Sequence, residues 1–241
     1  MKTVTIRLTA PLQSYGDEAN FDRRTSYDYP SKSAIVGLIA AALGYRRTDS
    51  RIQTLNQLDY AVRIDQPAEP LTDFQIVEWK RGKRKLTYRD YLQDAVFLAA
   101  VGSEDDALID RIDWALHHPR FQLSLGRRAN VPAGPIMTEI ASGSNPAQVL
   151  QSLSWHASRF YMKKTKSPTF VAELIADAAL LPNHRSSMVK DNVITFDQRE
   201  RQYGFRAVTI DRVPLENPYH PDRTAETDHD MMTFLWKEDQ R

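Results

Sequence analysis

Residues 23–44 read Arg-Arg-Thr-Ser-Tyr-Asp-Tyr-Pro-Ser-Lys-Ser-Ala-Ile-Val-Gly-Leu-Ile-Ala-Ala-Ala-Leu-Gly, and their change of character halfway along decides the fold class. Up to Ser33 the stretch is polar, basic and aromatic; from Ala34 it is apolar on every side. A helix on a protein surface shows one apolar stripe, whereas one that is apolar all round lies inside a core. Pro30 presets a helix-compatible φ, the serines offer an N-cap hydroxyl, and Gly44 suits the left-handed residue that ends a helix. A buried helix is therefore expected over 33–43. Its start, Ser31-Lys32-Ser33 with Arg23 and Arg24 upstream, is either a simple cap or a place to hold an anion.

Outward from this helix, periodicity orders the elements. Val4, Ile6 and Leu8 alternate with Thr3, Thr5 and Arg7, which predicts a strand over residues 2–10. Pro11 to Gly16 breaks it, and residues 17–30 read as a long polar loop, a length that goes with function or disorder. A short amphipathic helix is expected at 48–57, then a strand at 58–65. A second strand runs through Phe74, Ile76 and Trp79, and Gln93–Val101 returns to the core. The basic run between them reads as a hairpin tip near residues 78–92. A helix at 104–117 has acids in its first turn, Phe121, Leu123 and Leu125 mark another strand, and Gly126 to Pro135 is turn-rich.

Strand, helix, paired strands, helix, strand is the split βαβ order. The expected class is thus α+β: a ferredoxin-like (RRM-like) domain over 1–136 with an inserted hairpin thumb. In the second half, a helix near 145–153 and strands at 168–175, 192–196 and 204–213 read as a small β-rich C-terminal domain over 137–241.

Of the 241 residues 26% are charged and 41% apolar, an ordinary globular balance, and the net charge is +1. Near-neutrality excludes a broad nonspecific nucleic-acid coat but leaves room for a local basic site. The absence of cysteine excludes disulfides and cysteine-based metal sites or nucleophiles, and fits a reducing cytoplasm. The first residues lack the apolar core of a signal peptide. The longest apolar run, Ala34 to Leu43, is far shorter than the roughly 20 residues of a membrane span. A cytoplasmic protein without a membrane partner is expected.

Cations concentrate locally. Lys80, Arg81, Lys83, Arg84, Lys85 and Arg89 lie among Trp79, Tyr88 and Tyr91, combining phosphate attraction with stacking surfaces. The competing reading is a solvated turn whose lysines blunt an edge strand. Gly126-Arg127-Arg128 follows a predicted core strand; it is either an ordinary surface turn or a close-approach loop with forked donors for phosphate or carboxylate. No Gly-x-x-x-x-Gly-Lys precedes Ser33, so there is no P-loop.

Catalytic groupings are scarce. His117-His118 ends a predicted helix, where histidine can serve the dipole, and His156 and His184 are isolated. His220, Asp222, Asp228, His229 and Asp230 include metal-ligating types, but their irregular spacing in a charged tail reads as solvated chain. No metal or other cofactor is expected.

Several ordered segments resemble the Cas-five family, the CasD-type subunits of type I-E CRISPR Cascade. They are Leu12-Gln13-Ser14-Tyr15-Gly16, Pro30-Ser31-Lys32-Ser33 with Ile35 to Gly44, Tyr88-Arg89-Asp90-Tyr91-Leu92-Gln93-Asp94-Ala95-Val96-Phe97, and Leu125-Gly126-Arg127-Arg128 with Pro132-Ala133-Gly134-Pro135. They keep their order over roughly residues 3–136, and the second half matches loosely. The resemblance implies an RRM-like (RAMP) domain with a thumb. It implies a noncatalytic subunit capping the 5′ handle of the CRISPR RNA, beside the CasC backbone and the large subunit CasA, and meeting target DNA through the complex. The RNA-binding residues would then be Gln13, Ser14, Tyr15, Arg23, Arg24, Ser31, Lys32, Ser33, the six cations of 80–89, Arg127 and Arg128, with Tyr27 and Tyr29 as further stacking surfaces. A handle of fixed sequence can be held by backbone clamps and splayed bases. Relatives in type I-C systems cut precursor RNA, so the alternative is a metal-independent endoribonuclease using His117 or His118 beside a lysine and a tyrosine.

Overall fold

In the computed structural model, residues 1–19 and 22–220 are described. The strands are β1 (Lys2–Thr9), β2 (Leu12–Gln13), β3 (Tyr15–Ala19), β4 (Arg23–Tyr27), β5 (Asp59–Gln66), β6 (Glu69–Lys80), β7 (Lys83–Gln93), β8 (Val96–Ser103), β9 (Met137–Ser142), β10 (Thr169–Asp177), β11 (Ser186–Thr195) and β12 (Gln202–Glu216). The helices are α1 (Lys32–Leu43), α2 (Ile52–Leu55), α3 (Asp106–His117), α4 (Pro146–Ser152) and α5 (Arg159–Lys164). The class is α+β.

Alternating apolar residues give β1, β5 and β8 the centre of a seven-stranded antiparallel sheet, ordered β11-β12-β10-β5-β8-β1-β9. Within it, β5-β8-β1-β9 run antiparallel; α1 lies on the connection from β1 to β5, and α3 on that from β8 to β9. Strands from both sides of the expected 136/137 division share this sheet, because β10 pairs with β5 through Leu174, Ile175 and Ala176.

Both faces are covered. On one, Ile35, Val36 and Ile39 of α1 and Ile109 and Ile112 of α3 pack over Val4, Ile6, Leu8, Val62 and Phe97. On the other, Ala147 and Leu150 of α4, Trp155 and Met162 pack over Ala61, Leu98, Ala100 and Leu174. Burial on both faces explains Arg63, which is 0% exposed although it alternates away from the first core. Its guanidinium forks onto Asp65 (2.7 and 2.9 Å) and also donates to the carbonyls of Leu150, Leu153 and Ser154.

α1 ends as its sequence requires. Ser31 caps it, its Oγ accepting from Ala34 N at 3.3 Å, and Gly44 takes the left-handed conformation at φ +80°. Four expectations change. The helix foreseen over 48–57 shortens to Ile52–Leu55, because residues 46–51 form turns. The loop foreseen over 17–30 contains β3 and β4, which pair with each other, and β4 also runs parallel to β7 through Arg23↔Tyr88 and Arg24↔Arg89. The hairpin is longer than 78–92, since β6 pairs with β7 from Glu69↔Gln93 outward. Finally, Phe121, Leu123 and Leu125 form no strand. That segment's backbone instead serves other chain ends: Arg120 N and Phe121 N donate to Ala42 O and Ala41 O, closing the last turn of α1.

No helix among the described residues is long and apolar enough to cross a membrane. No group of side chains suited to a metal occurs among the described residues. Asp222, Asp228, His229, Asp230 and the apolar stretch at 231–236 lie outside them.

Candidate nucleic-acid interface

A cleft of about 800 Å³ opens over the solvent side of α1. Ser33, Gly37 and Ala41 line its base; Arg24 and Thr25 of β4, the Gly126-Arg127 turn, and Phe196 to Tyr203 between β11 and β12 form its walls. Five arginines reach it, Arg24, Arg46, Arg47, Arg127 and Arg201, and among the described residues no carboxylate lines it. Tyr45, Phe121, Phe196 and Tyr203 add ring surface, with Phe196 and Tyr203 edge to face at 6.5 Å. Uncompensated guanidinium groups among rings can hold phosphates while offering planes to bases.

The turn beside this cleft depends on Gly126. Its φ is +94°, and a Cβ there would lie 1.5 Å from the carbonyl oxygen of Ser14. Ser14 N donates to Leu125 O at 3.1 Å, and Asn130 Nδ2 donates to Ser14 Oγ at 3.0 Å. The segment 12–16 and the turn 125–130 are therefore one interlocked piece.

Several sequence-predicted residues serve that interlocking. Gln13 and Tyr15 are buried: Tyr15 Oη donates to Gln13 Oε1, and Gln13 Nε2 donates to Ala95 O at 2.8 Å. Burial raises the Tyr15 pKa far above the usual phenol range. Both hold the scaffold from within, and Tyr15 also lines the floor of the cleft. Ser14 lines the cleft but is itself buried and bonded internally.

Arg127 lines the cleft yet is also a strut. It donates to Asp90 O at 2.9 Å and Arg24 O at 3.0 Å, with its guanidinium carbon 4.4 Å from the centre of the Tyr91 ring. Arg127→Ala is expected to lower unfolding free energy by about 1–3 kcal/mol, read from the denaturant midpoint. An unchanged midpoint would mean these contacts do not hold the turn.

The start of α1 already holds an anion, and it is internal. Lys32 N donates to Asp191 Oδ2 at 2.8 Å, while Lys32 Nζ pairs with Asp177 at 3.0 Å. Arg206 completes the buried cluster, bonded to Asp191 at 2.6 Å and Asp177 at 2.7 Å. Burial opposes the charge on Arg206, but the bonds to Asp191 and the nearby Asp177 outweigh it and raise its pKa. Lys32 is thereby corrected from ligand-binding to structural. Ser31 is the buried cap, and both it and Ser33, 3.0 Å away, line the cleft.

The hairpin tip is exposed and partly self-paired. Glu78 accepts from Gly82 N and, at 3.4 Å, from Arg84 Nε; Lys83 Nζ sits 5.6 Å from the Trp79 ring centre. Lys85 pairs with Asp22, and Tyr88 N donates to Asp22 O, so the hairpin is tied to the strand carrying Arg24. Lys80 and Arg81 are exposed at the turn, and Arg128 is exposed beyond Arg127. Arg23 is exposed beside Asp90 at 3.4 Å; Arg89 is half-buried, its Nε unbonded among the described residues.

His117 and His118 stand at the end of α3. Their Nδ1 atoms lie 2.9 and 3.0 Å from the carbonyl oxygens of Asp113 and Trp114, and His118 stacks on Trp114. Sequence reading missed Arg46, Arg47, Arg201, Phe196 and Tyr203. The Arg46-Arg47 pair just beyond Gly44 was a usable signal, whereas Arg201 joins the site only through the fold.

The family of CRISPR-associated Cas5 proteins matches residues 3–209. The CRISPR system Cascade subunit CasD of Escherichia coli K12 is 30% identical over 165 residues, 60% of this chain and 74% of that protein. A solved CRISPR RNA-guided surveillance complex contains a chain of TM-score 0.72 and 27% identity, the match covering 99% of this chain and 100% of that one. A crystal structure of a Cas protein aligns with TM-score 0.65 at 30% identity, covering 91% and 97%.

Proposed function

The chain belongs to the Cas5 family of CRISPR-associated proteins, and from that premise we propose that it is a noncatalytic Cascade subunit holding the 5′ handle of the CRISPR RNA in the arginine cleft. The observation that carries this reading is the cleft lining itself: five arginines, the rings of Tyr45, Phe121, Phe196 and Tyr203 beside them, and no carboxylate among the described residues. In it, β5-β8-β1-β9 with α1 and α3 are the ferredoxin-like, RRM-like unit, and the β6–β7 hairpin is its thumb. The CasC backbone and CasA large subunit are its neighbours in the cytoplasm, and target DNA is reached through the assembled antiviral complex. A handle needs few contacts, each strong, which fits one local basic cleft on a nearly neutral protein.

The test is photo-crosslinking of thiouridine-substituted handle RNA to the full chain, with adducts mapped by mass spectrometry. Adducts are expected at Tyr45, Phe121, Phe196 or Tyr203; adducts confined to surfaces away from the cleft would overturn the reading. For the thumb, joint replacement of Lys83, Arg84 and Lys85 by alanine is expected to reduce recovery of guide-loaded complex severalfold. Full recovery would remove the tip's role. The endoribonuclease alternative predicts cleavage of precursor RNA in chelator that is lost in His117→Ala. The bonds of His117 and His118 to their own helix favour a helix-terminal role.

A further inference from the structure

We propose a second nucleotide platform beside the cleft, formed by Trp114 of α3 and His118 just beyond it, that stacks a base of the same RNA strand as it passes the C-terminal end of α1. The proposal rests on the cleft reading and extends it. Trp114 is 62% exposed, although Ile112, Ala115 and Leu116 around it in sequence are buried. His118 lies on its indole at 4.6 Å and 18° from parallel, and is fixed there by the 3.0 Å contact of Nδ1 with the Trp114 carbonyl. The ring is thus braced before any ligand arrives, which lowers the ordering cost of stacking.

The surroundings favour a nucleotide over an apolar partner. Trp114 and His118 share a depression of about 590 Å³ with Arg111 and Arg120, and no carboxylate among the described residues lines it. The nearby acids of α3 are engaged elsewhere, Asp110 with Lys2 and Asp113 with Thr138. Aromatic planes among cations are the elements of sequence-tolerant single-strand binding.

Continuity supplies the identity of the strand. The cleft is lined by Ala41, Tyr45 and Phe121, and the depression by their chain neighbours Ala42, Gly44 and Arg120. One thickness of backbone separates the two, held where Arg120 N and Phe121 N donate to the end of α1. These bonds also occupy carbonyls that would otherwise repel phosphate. Gly44 permits the close approach, since a Cβ there would fall 2.8 Å from Arg120 Cγ.

The experiment measures binding of fluorescein-labelled uridine oligomers of about 6 and about 14 nucleotides to the full chain, lengths chosen within single-strand site sizes. Trp114→Ala is expected to weaken the longer oligomer about 5- to 100-fold and leave the shorter one unchanged, with Trp114→Phe restoring most of the loss. Arg111→Ala should lower the slope of log affinity against log salt by about 0.7 for the longer oligomer. If Trp114→Ala leaves both lengths unaffected while alanine at Arg46, Arg47 and Arg201 weakens both, the platform is overturned and the cleft stands. If the cleft variant is also without effect, the underlying reading falls. Intact RNA binding with loss of protein subunits from the assembled complex would make Trp114 a protein-docking residue and overturn the platform.

Discussion

Arg63→Met is expected to destabilise the protein by about 3–5 kcal/mol, a large part of a typical domain's stability. The wild-type guanidinium is fully buried and joins three things: the Asp65 carboxylate, the sheet that carries both residues, and the chain leaving α4 at Leu150, Leu153 and Ser154. Methionine fills much of the volume but leaves Asp65 as a buried carboxylate without its cation. The His156 N–H, which donates to that carboxylate at 2.6 Å, is uncharged, and the His156 imidazole stands 4.0 Å away, too far to replace the bidentate guanidinium. Adding Asp65→Leu should recover part of the loss, because removing both charges is far less costly than stranding one. Equal denaturant midpoints for wild type and Arg63→Met would show that the pair does not hold the second layer to the sheet.

Gly126→Ala is expected to cost about 3 kcal/mol or more and to abolish cleft binding together with stability. The penalty has two sources. A non-glycine residue is strained at φ +94°, and the new methyl would overlap the Ser14 carbonyl at 1.5 Å. That carbonyl belongs to a backbone which cannot rotate aside, since Ser14 N and Oγ are both bonded to the 125–130 turn. The turn must therefore shift, displacing Arg127 from Asp90 and Arg24 and moving one wall of the cleft. Thermal unfolding and RNA affinity measured together check this; a variant with wild-type values in both would contradict the interlock.

Legibility in the sequence followed how local the determinants were. The buried helix was readable with its cap and closing glycine, since Ser31, the apolar run and Gly44 lie within fourteen residues of one another. The alternation of β1 and β5 and the Asn145-Pro146 helix start were equally local, the latter carrying a full capping box with Gln148. What stayed hidden depended on distant partners. The polar stretch 17–30 holds strands because β3 and β4 pair with each other and β7 offers Arg24 a further partner at Arg89. Lys32 looked like an anion-binding lysine because Asp177 and Asp191, which claim it, lie in the other half of the chain. The burial of Arg63 was not legible, since alternation reports one face of a strand and says nothing about what covers the other. Of the site, the Arg127 turn was visible as a motif, but its guanidinium serves the scaffold as well as the cleft, and Arg201 arrives from beyond β11.

Whether the cleft arginines hold RNA phosphates is read from the salt dependence of handle-RNA binding. Wild type and a variant with Arg46, Arg47 and Arg201 all replaced by alanine are compared across a salt titration. These three arginines are exposed and form no ion pair among the described residues, so their loss should leave folding intact. Three lost phosphate contacts should flatten the slope of log affinity against log salt by about 2 and weaken binding at least about tenfold at physiological salt. A variant that kept both the wild-type slope and the wild-type affinity would show that the RNA lies elsewhere.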